Sequence, residues 1–249
     1  MKGSDGEATQ RQAMALGAIP HAIERAKEAL SAITHLKDEI EIVTYPGSMG
    51  AEAAQALGFS TQVIGKINPQ KTTADDTRQA AKDLSRMDIT LLLFAGGDGT
   101  ARDVYDAIGS SIPVLGIPAG VKIHSPVYAV HPRAAGDLAA MLLRGAKIRF
   151  HEAEVIDLDE ESYQAGTVST RLYGYLKIPE LSQFVQNAKA ASPPSEQVAA
   201  QEIAASVVSQ MQEEVVYIIG PGTTTRAITT QLGLEKTLLG VDVILNRKL

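Results

Sequence analysis

The pentapeptide Gly96-Gly97-Asp98-Gly99-Thr100 joins an apolar run, ITLLLFA, to a helical stretch, ARDVYDAI. A buried strand that ends in glycines and opens into a helix presents successive backbone N–H groups, unobstructed by Cβ, at the positive end of a helix dipole. Such a turn binds anions, and phosphate is its usual guest at the carboxyl end of a parallel strand. A carboxylate within the cradle repels bare phosphate. Asp98 therefore implies a bridging Mg2+ or a proton to be taken from a hydroxyl. The plainer alternative is a strand-to-helix turn whose glycines serve only the backbone.

A second turn of this kind, Gly220-Pro221-Gly222-Thr223-Thr224-Thr225-Arg226, again follows an apolar run and opens a helix. Three hydroxyls and a guanidinium there suit a phosphate or a ribose, with helix capping by Thr223 as the structural alternative. Lys122 and His124 lie just beyond IPVLGIP, at the sheet edge expected to carry Asp98. They read either as a phosphate contact and a polar or acid/base contact, or as a solvated loop. Asp157 and Asp159, with Glu160 and Glu161, read as paired acids or, preferably, as a solvated strand end. Tyr173 and Tyr175 share a strand face and read as packing residues. PGSMG at 46–50 reads as a second nucleotide loop or a plain turn.

Other nucleotide and hydrolase signatures fail on spacing. Arg102 stands where GxGxxG needs its third glycine, and no GxxxxGK[ST] occurs. His151-Glu152 has no second histidine four residues on, and the five histidines show no metal-ligand spacing. Ser48 does not sit in a GxSxG elbow.

The elements that must position these residues follow from periodicity. Ala18 to Ile33 repeats apolar residues at helical spacing, EIEIVTY alternates as a strand, and AEAAQALG is a short helix ending at Gly58. TTADD caps a helix carried on by DTRQAAKDLSRM, before the continuous apolar strand that leads to Gly96. ARDVYDAI and IPVLGIP continue the alternation, which argues for a parallel sheet covered on both faces to about residue 150. Beyond it HEAEVIDLDEES and GTVSTRLYGYLKIP alternate with no helix between them, as antiparallel hairpins do. The expected organisation is an α/β nucleotide-binding domain over 1–150 and a β-rich domain over 151–249, with an excursion of two helical pieces near 183–212 broken at SPPS. EVVYIIG, the helix RAITTQLG and the strand LLGVDVIL close the chain.

Composition excludes several classes. The 249 residues carry 23 basic and 29 acidic side chains, a net charge of −6, which gives no electrostatic reason to bind nucleic acid. Tryptophan is absent and aromatics make up 4%, which disfavours base-stacking platforms. With no cysteine there are no disulfides, thiolate metal sites or thiol nucleophiles. MKGSDGEATQ lacks an apolar signal core, and no apolar run nears the roughly 18 residues needed to span a bilayer, so a cytoplasmic protein is expected.

GGDGT on this strand resembles the hallmark of the superfamily of NAD kinases, diacylglycerol and sphingosine kinases and, more distantly, phosphofructokinases. TTADDTRQAAKDL before it and IPVLGIPAGVKIHS after it resemble the flanking segments of that group. With RLYGYLKIP and VYIIGPGTTTRAITTQLGLEKTLLGVDVI, the pattern is most similar to ATP-NAD kinase-like proteins of the acetoin-catabolism X type. The resemblance implies an α/β domain of NAD kinase/phosphofructokinase type, a β-rich second domain and a site between them. It implies ATP and Mg2+, Asp98 acting on the acceptor hydroxyl or the metal, and Gly96, Gly97, Gly99 and Thr100 near the phosphates. NAD(H) is the leading acceptor, and a homo-oligomer is expected. Where NAD and lipid kinases carry an Asn-acid pair, this chain has Gly120-Val121-Lys122-Ile123-His124-Ser125. Another polyol or lipid-like alcohol, and a catalytically silent nucleotide-binding regulator, are the alternative readings. Members of the group begin with a strand that MKGSDG resembles the sequel of, and LNRKL stands where a hairpin would lead onward, so further strands are expected at both ends.

Overall fold

The computed structural model describes residues 12, 14–69, 72–120, 123–158, 170–180, 184–186, 194–220, 222–234 and 241–248. They group into two compact units, Met14–Asp159 with Ser169–Ala188, and Met1–Ala13 with Glu160–Val168 and Lys189–Leu249.

In the larger unit, helix α1 (Ala22–Ser31) buries Ala29 on its apolar stripe. Strand β1 (Ile42–Thr44) leads through a 3-10 turn at Gly47–Met49 into α2 (Ala51–Ala56), then β2 (Thr61–Val63). Helix α3 (Ala74–Ser85) starts at a capping box: the Asp76 N–H donates to the Thr73 hydroxyl at 3.4 Å, and the Thr73 N–H donates to the Asp76 carboxylate at 2.8 Å. That exchange satisfies two N–H groups the helix leaves unpaired. Strand β3 (Leu92–Gly96), helix α4 (Asp98–Ile108), strand β4 (Val114–Pro118) and helix α5 (Pro132–Leu143) follow. The His131 Nδ1 caps α5 by accepting the Ala134 N–H at 3.1 Å.

β1 pairs parallel with β2, and β3 with β4 in the register Phe94↔Gly116. The alternation read from periodicity is therefore a mixed α/β layer, although its parallel pairs form two two-stranded sheets. Phe94 and the fully buried Tyr128 pack edge to face with centroids 5.4 Å apart, at the centre of the main core. Such a pair adds about 0.5–1.5 kcal/mol beyond its buried area.

Strands β5 (Phe150–Leu158) and β6 (Thr170–Pro179) form the expected antiparallel pair, with a register shift at Val155/Ile156. This hairpin belongs to the larger unit, where Ala153, Val155, Leu176 and Ile178 join the core of β3 and β4. Tyr175 is exposed, not packed, whereas Tyr173 lies under two guanidinium groups.

In the smaller unit, α6 (Pro194–Ser209) is one helix of 16 residues. The second of the two helical pieces expected around SPPS is this helix, which begins at Pro194 because proline is tolerated in a first turn, where its missing N–H has no intrahelical partner; most of the first piece lies outside the described residues. Val185, expected in the excursion, instead bridges Ala129. Strand β7 (Val216–Ile219), helix α7 (Thr223–Gln231) and strand β8 (Asp242–Leu245) complete the unit, β7 and β8 pairing antiparallel around buried Ile219 and Ile244. No helix among the described residues is long and apolar enough to cross a membrane.

Candidate functional site

β3 delivers its last residue, Gly96, into the turn, and α4 begins at Asp98 with Gly97 as its extended N-cap (φ −125°, ψ −169°). The Thr100 and Ala101 N–H groups donate to the Gly97 carbonyl at 2.8 and 3.2 Å, which closes the first turn. The N–H groups of Asp98 and Gly99 belong to the set that a helix leaves for an outside acceptor. The two leading glycines differ in purpose. A Cβ at Gly96 would collide with the Thr100 side chain, whereas one at Gly97 would meet, among the described residues, the Gly120 Cα at 3.7 Å. Packing thus demands glycine at 96, whereas at 97 a Cβ would sit in ordinary contact among the described residues.

Asp98 is 7% exposed, and its carboxylate is engaged with the loop after β4. The Ser125 N–H donates to Oδ1 at 3.0 Å, and the His124 N–H donates to Oδ2 at 2.8 Å, with His124 Nδ1 at 3.1 Å from the same oxygen. Ser125 is fully buried and carries the link onward: its hydroxyl donates to the Ile156 carbonyl at 2.7 Å and accepts the Ile156 N–H at 2.9 Å. The Tyr128 hydroxyl donates to the Gly97 carbonyl at 2.5 Å. Burial, then the nearby Asp98 charge, pushes that phenol well above its ordinary pKa of 10, so it stays a donor. The turn is therefore held from α4, β4 and the β5–β6 hairpin together.

One turn along α4, Arg102 reaches the buried Asp157 carboxylate at 3.3 Å and lies 5.1 Å over the Tyr173 ring, which Arg171 approaches at 5.5 Å. The reading of Asp157 as a solvated strand end is corrected, since the α4 cation and the hairpin enclose it. Asp159 lies outside the described residues.

Of the residues singled out in sequence, the larger unit brings together Gly96, Gly97, Asp98, Gly99, Thr100 and His124. Lys122 lies outside the described residues. Gly222 to Arg226 start α7 in the smaller unit, where Gly222 adopts φ +135°, a conformation that favours glycine. Among the described residues no side chain caps α7, and the Thr225 hydroxyl turns back to the carbonyls of Gly220 and Gly222, at 2.8 and 3.0 Å. Thr224 and Arg226 are exposed. PGSMG is a 3-10 turn closed by Gly50.

Sequence reasoning gave no role to Ser125, Tyr128 or Arg102. A buried serine and tyrosine in a loop have no periodicity to reveal them, and Arg102 on a helix reads as a solvated cation until β5 is placed beside it.

Strands that lead through a Gly-rich turn into helices, with a carboxylate held inside the turn, define a nucleotide-binding α/β protein. The family model of the ATP-NAD kinase N-terminal domain matches residues 16–147, more than half of the chain. The chain belongs to that family. Searches among curated proteins and among solved structures gave no significant match.

Proposed function

We propose that the chain is an ATP-dependent kinase that transfers the γ-phosphoryl group to a hydroxyl of NAD(H) or a related small molecule. The observation that carries this reading is the turn itself: a helix N-terminus with glycine as its N-cap and a carboxylate one residue on. Phosphoryl transfer asks for positioning and charge stabilisation above all. Gly96, Gly97, Gly99 and Thr100, with Lys122, surround the phosphates, while Gly222, Thr223, Thr224, Thr225 and Arg226 take the acceptor or its phosphate. The likeness to the acetoin-catabolism X type rests on segments beyond residue 147 and belongs to the same proposal.

An ionised carboxylate accepts about four hydrogen bonds, and Asp98 receives three, two of them on Oδ2. Oδ1 is thus the oxygen with capacity left. Mg2+ is commonly held by one or two carboxylates plus substrate phosphates and water, and a single oxygen from Asp98 fits that pattern; when bound, the ion would neutralise charge on the phosphates. Where Asp98 instead acts on the acceptor, Oδ1 accepts the hydroxyl proton, the hydroxyl oxygen forms its bond to γ-phosphorus, and the bond from γ-phosphorus to the ADP oxygen breaks, so that ADP leaves.

The same hydrogen bonds favour a second reading. A carboxylate committed to two loop amides works as a clamp, which suits a catalytically silent nucleotide-binding regulator. ATP consumption by the full chain, screened against NAD+, NADH and a polyol panel with Mg2+, decides between the two. Acceptor-dependent ADP release supports the kinase; ATP binding with no turnover on any acceptor supports the regulator.

A further inference from the structure

Asp98, Ser125, the neighbours Ile156 and Asp157, and Arg102 form a closed ring of contacts. On α4, the Asp98 carboxylate accepts the Ser125 N–H on Oδ1 at 3.0 Å and the His124 N–H on Oδ2 at 2.8 Å. The Ser125 hydroxyl donates to the Ile156 carbonyl at 2.7 Å and accepts the Ile156 N–H at 2.9 Å. Asp157, the next residue of β5, pairs with Arg102 at 3.3 Å, and Arg102 stands one turn after Asp98 on the same face of α4. Asp98 and Asp157 are 7% and 6% exposed, and Ser125 is fully buried.

Each link constrains the next. The terminal torsion of an aspartate side chain is broad, so its own backbone does not fix the plane of its carboxylate. Two successive N–H groups, one to each oxygen, do fix it, provided that the segment carrying them is itself held. His124 and Ser125 lie outside any helix or strand, so no ladder holds them. The N–H and C=O of one strand residue point to the same edge of the strand, and both of those of Ile156 reach Ser125. One hydroxyl thus takes the place of a neighbouring strand at that edge of β5. With its donor and an acceptor site both used, it anchors the Ser125 backbone to the hairpin. The Arg102–Asp157 pair then ties β5 to α4, which leads back to Asp98.

We propose that Ser125 is a positioning residue: through this ring it sets the plane of the Asp98 carboxylate and directs Oδ1 at the metal or the acceptor hydroxyl. The consequence for turnover rests on the kinase reading, whereas the consequence for the geometry of the turn does not.

The test is Ser125→Ala in the full chain, with Tyr45→Phe as a control that removes a part-buried hydroxyl hydrogen bond outside the ring. With ATP, Mg2+ and the acceptor that releases ADP fastest, kcat of Ser125→Ala should fall about tenfold or more while ATP affinity by calorimetry is kept, because a displaced carboxylate costs rate and not nucleotide binding. Amide hydrogen exchange at positions 124 and 125 should speed about tenfold or more relative to Leu115 of β4. Tyr45→Phe should show neither change. Ser125→Cys keeps the shape but offers only a weak donor and acceptor, so it shows the same pattern and serves if the alanine variant does not fold. The proposal is overturned if the folded variant keeps the parent kcat, or loses kcat and ATP affinity in equal proportion. It is overturned equally if the amides at 124 and 125 stay as protected, relative to Leu115, as in the parent. A parent chain that turns over no acceptor defeats the kinase reading instead, and the exchange at 124 and 125 alone then decides for or against the ring.

Discussion

At the scale of single residues, Gly96 and Gly97 look alike in sequence and differ in space. Gly97→Ala places its Cβ in ordinary contact with Gly120, so the variant should keep its unfolding temperature while its ATP affinity, by calorimetry with Mg2+, falls about tenfold or more. Gly96→Ala meets Thr100 and should lose about 1–3 kcal/mol of stability, as overpacked sites do. Unchanged ATP affinity in folded Gly97→Ala removes the phosphate cradle. Asp98→Asn is more than a loss of charge, because the amide NH2 now confronts an N–H of His124 or Ser125. It should cost about 1–3 kcal/mol in urea unfolding and lower kcat by about 10²-fold or more, with ATP affinity largely kept. Near wild-type turnover would end the case for Asp98 as the base.

At the scale of elements, caps and periods carried the local folding, and contacts between elements carried the rest. TTADD was legible as a helix start, and Thr73 and Asp76 exchange their bonds as such a sequence should. The grip of β1 on α3 was not legible: the Tyr45 hydroxyl donates to Asp83 at 2.6 Å across 38 residues. Burial and the Asp83 carboxylate push the Tyr45 phenol up to about 12 from 10. Above pH 10 the unfolded chain releases this proton while the folded chain keeps it. The contribution is therefore whole below pH 10 and is lost as pH rises through 12. Tyr45→Phe should cost about 1 kcal/mol at neutral pH and flatten the decline between pH 10 and 12, both read from urea midpoints across pH. Identical alkaline profiles for the two proteins would refute the coupling.

At the scale of the whole molecule, the chain folds as two units whose members are not contiguous in sequence. The Gly-rich turn lies in one and Gly222 to Arg226 in the other, and the proposed function requires both to serve one reaction. Arg226→Ala removes an exposed cation that holds nothing in its own helix, so stability should stay unchanged. Acceptor KM should rise about tenfold or more while ATP affinity stays constant; unaltered acceptor kinetics would separate the second turn from the reaction.

The sequence by itself determined the alternation of strands and helices, the cap at Thr73, the β5–β6 pairing and the Gly-rich turn with its embedded carboxylate. Each of these is written in neighbouring residues, through side-chain period, turn chemistry and the conformational freedom of glycine. Only the tertiary structure decided which glycine packing requires, that Asp98 clamps the loop of His124 and Ser125, and that Arg102 covers Asp157. These depend on residues far apart in the chain, whose approach is set by core burial and strand pairing, and no local pattern encodes it.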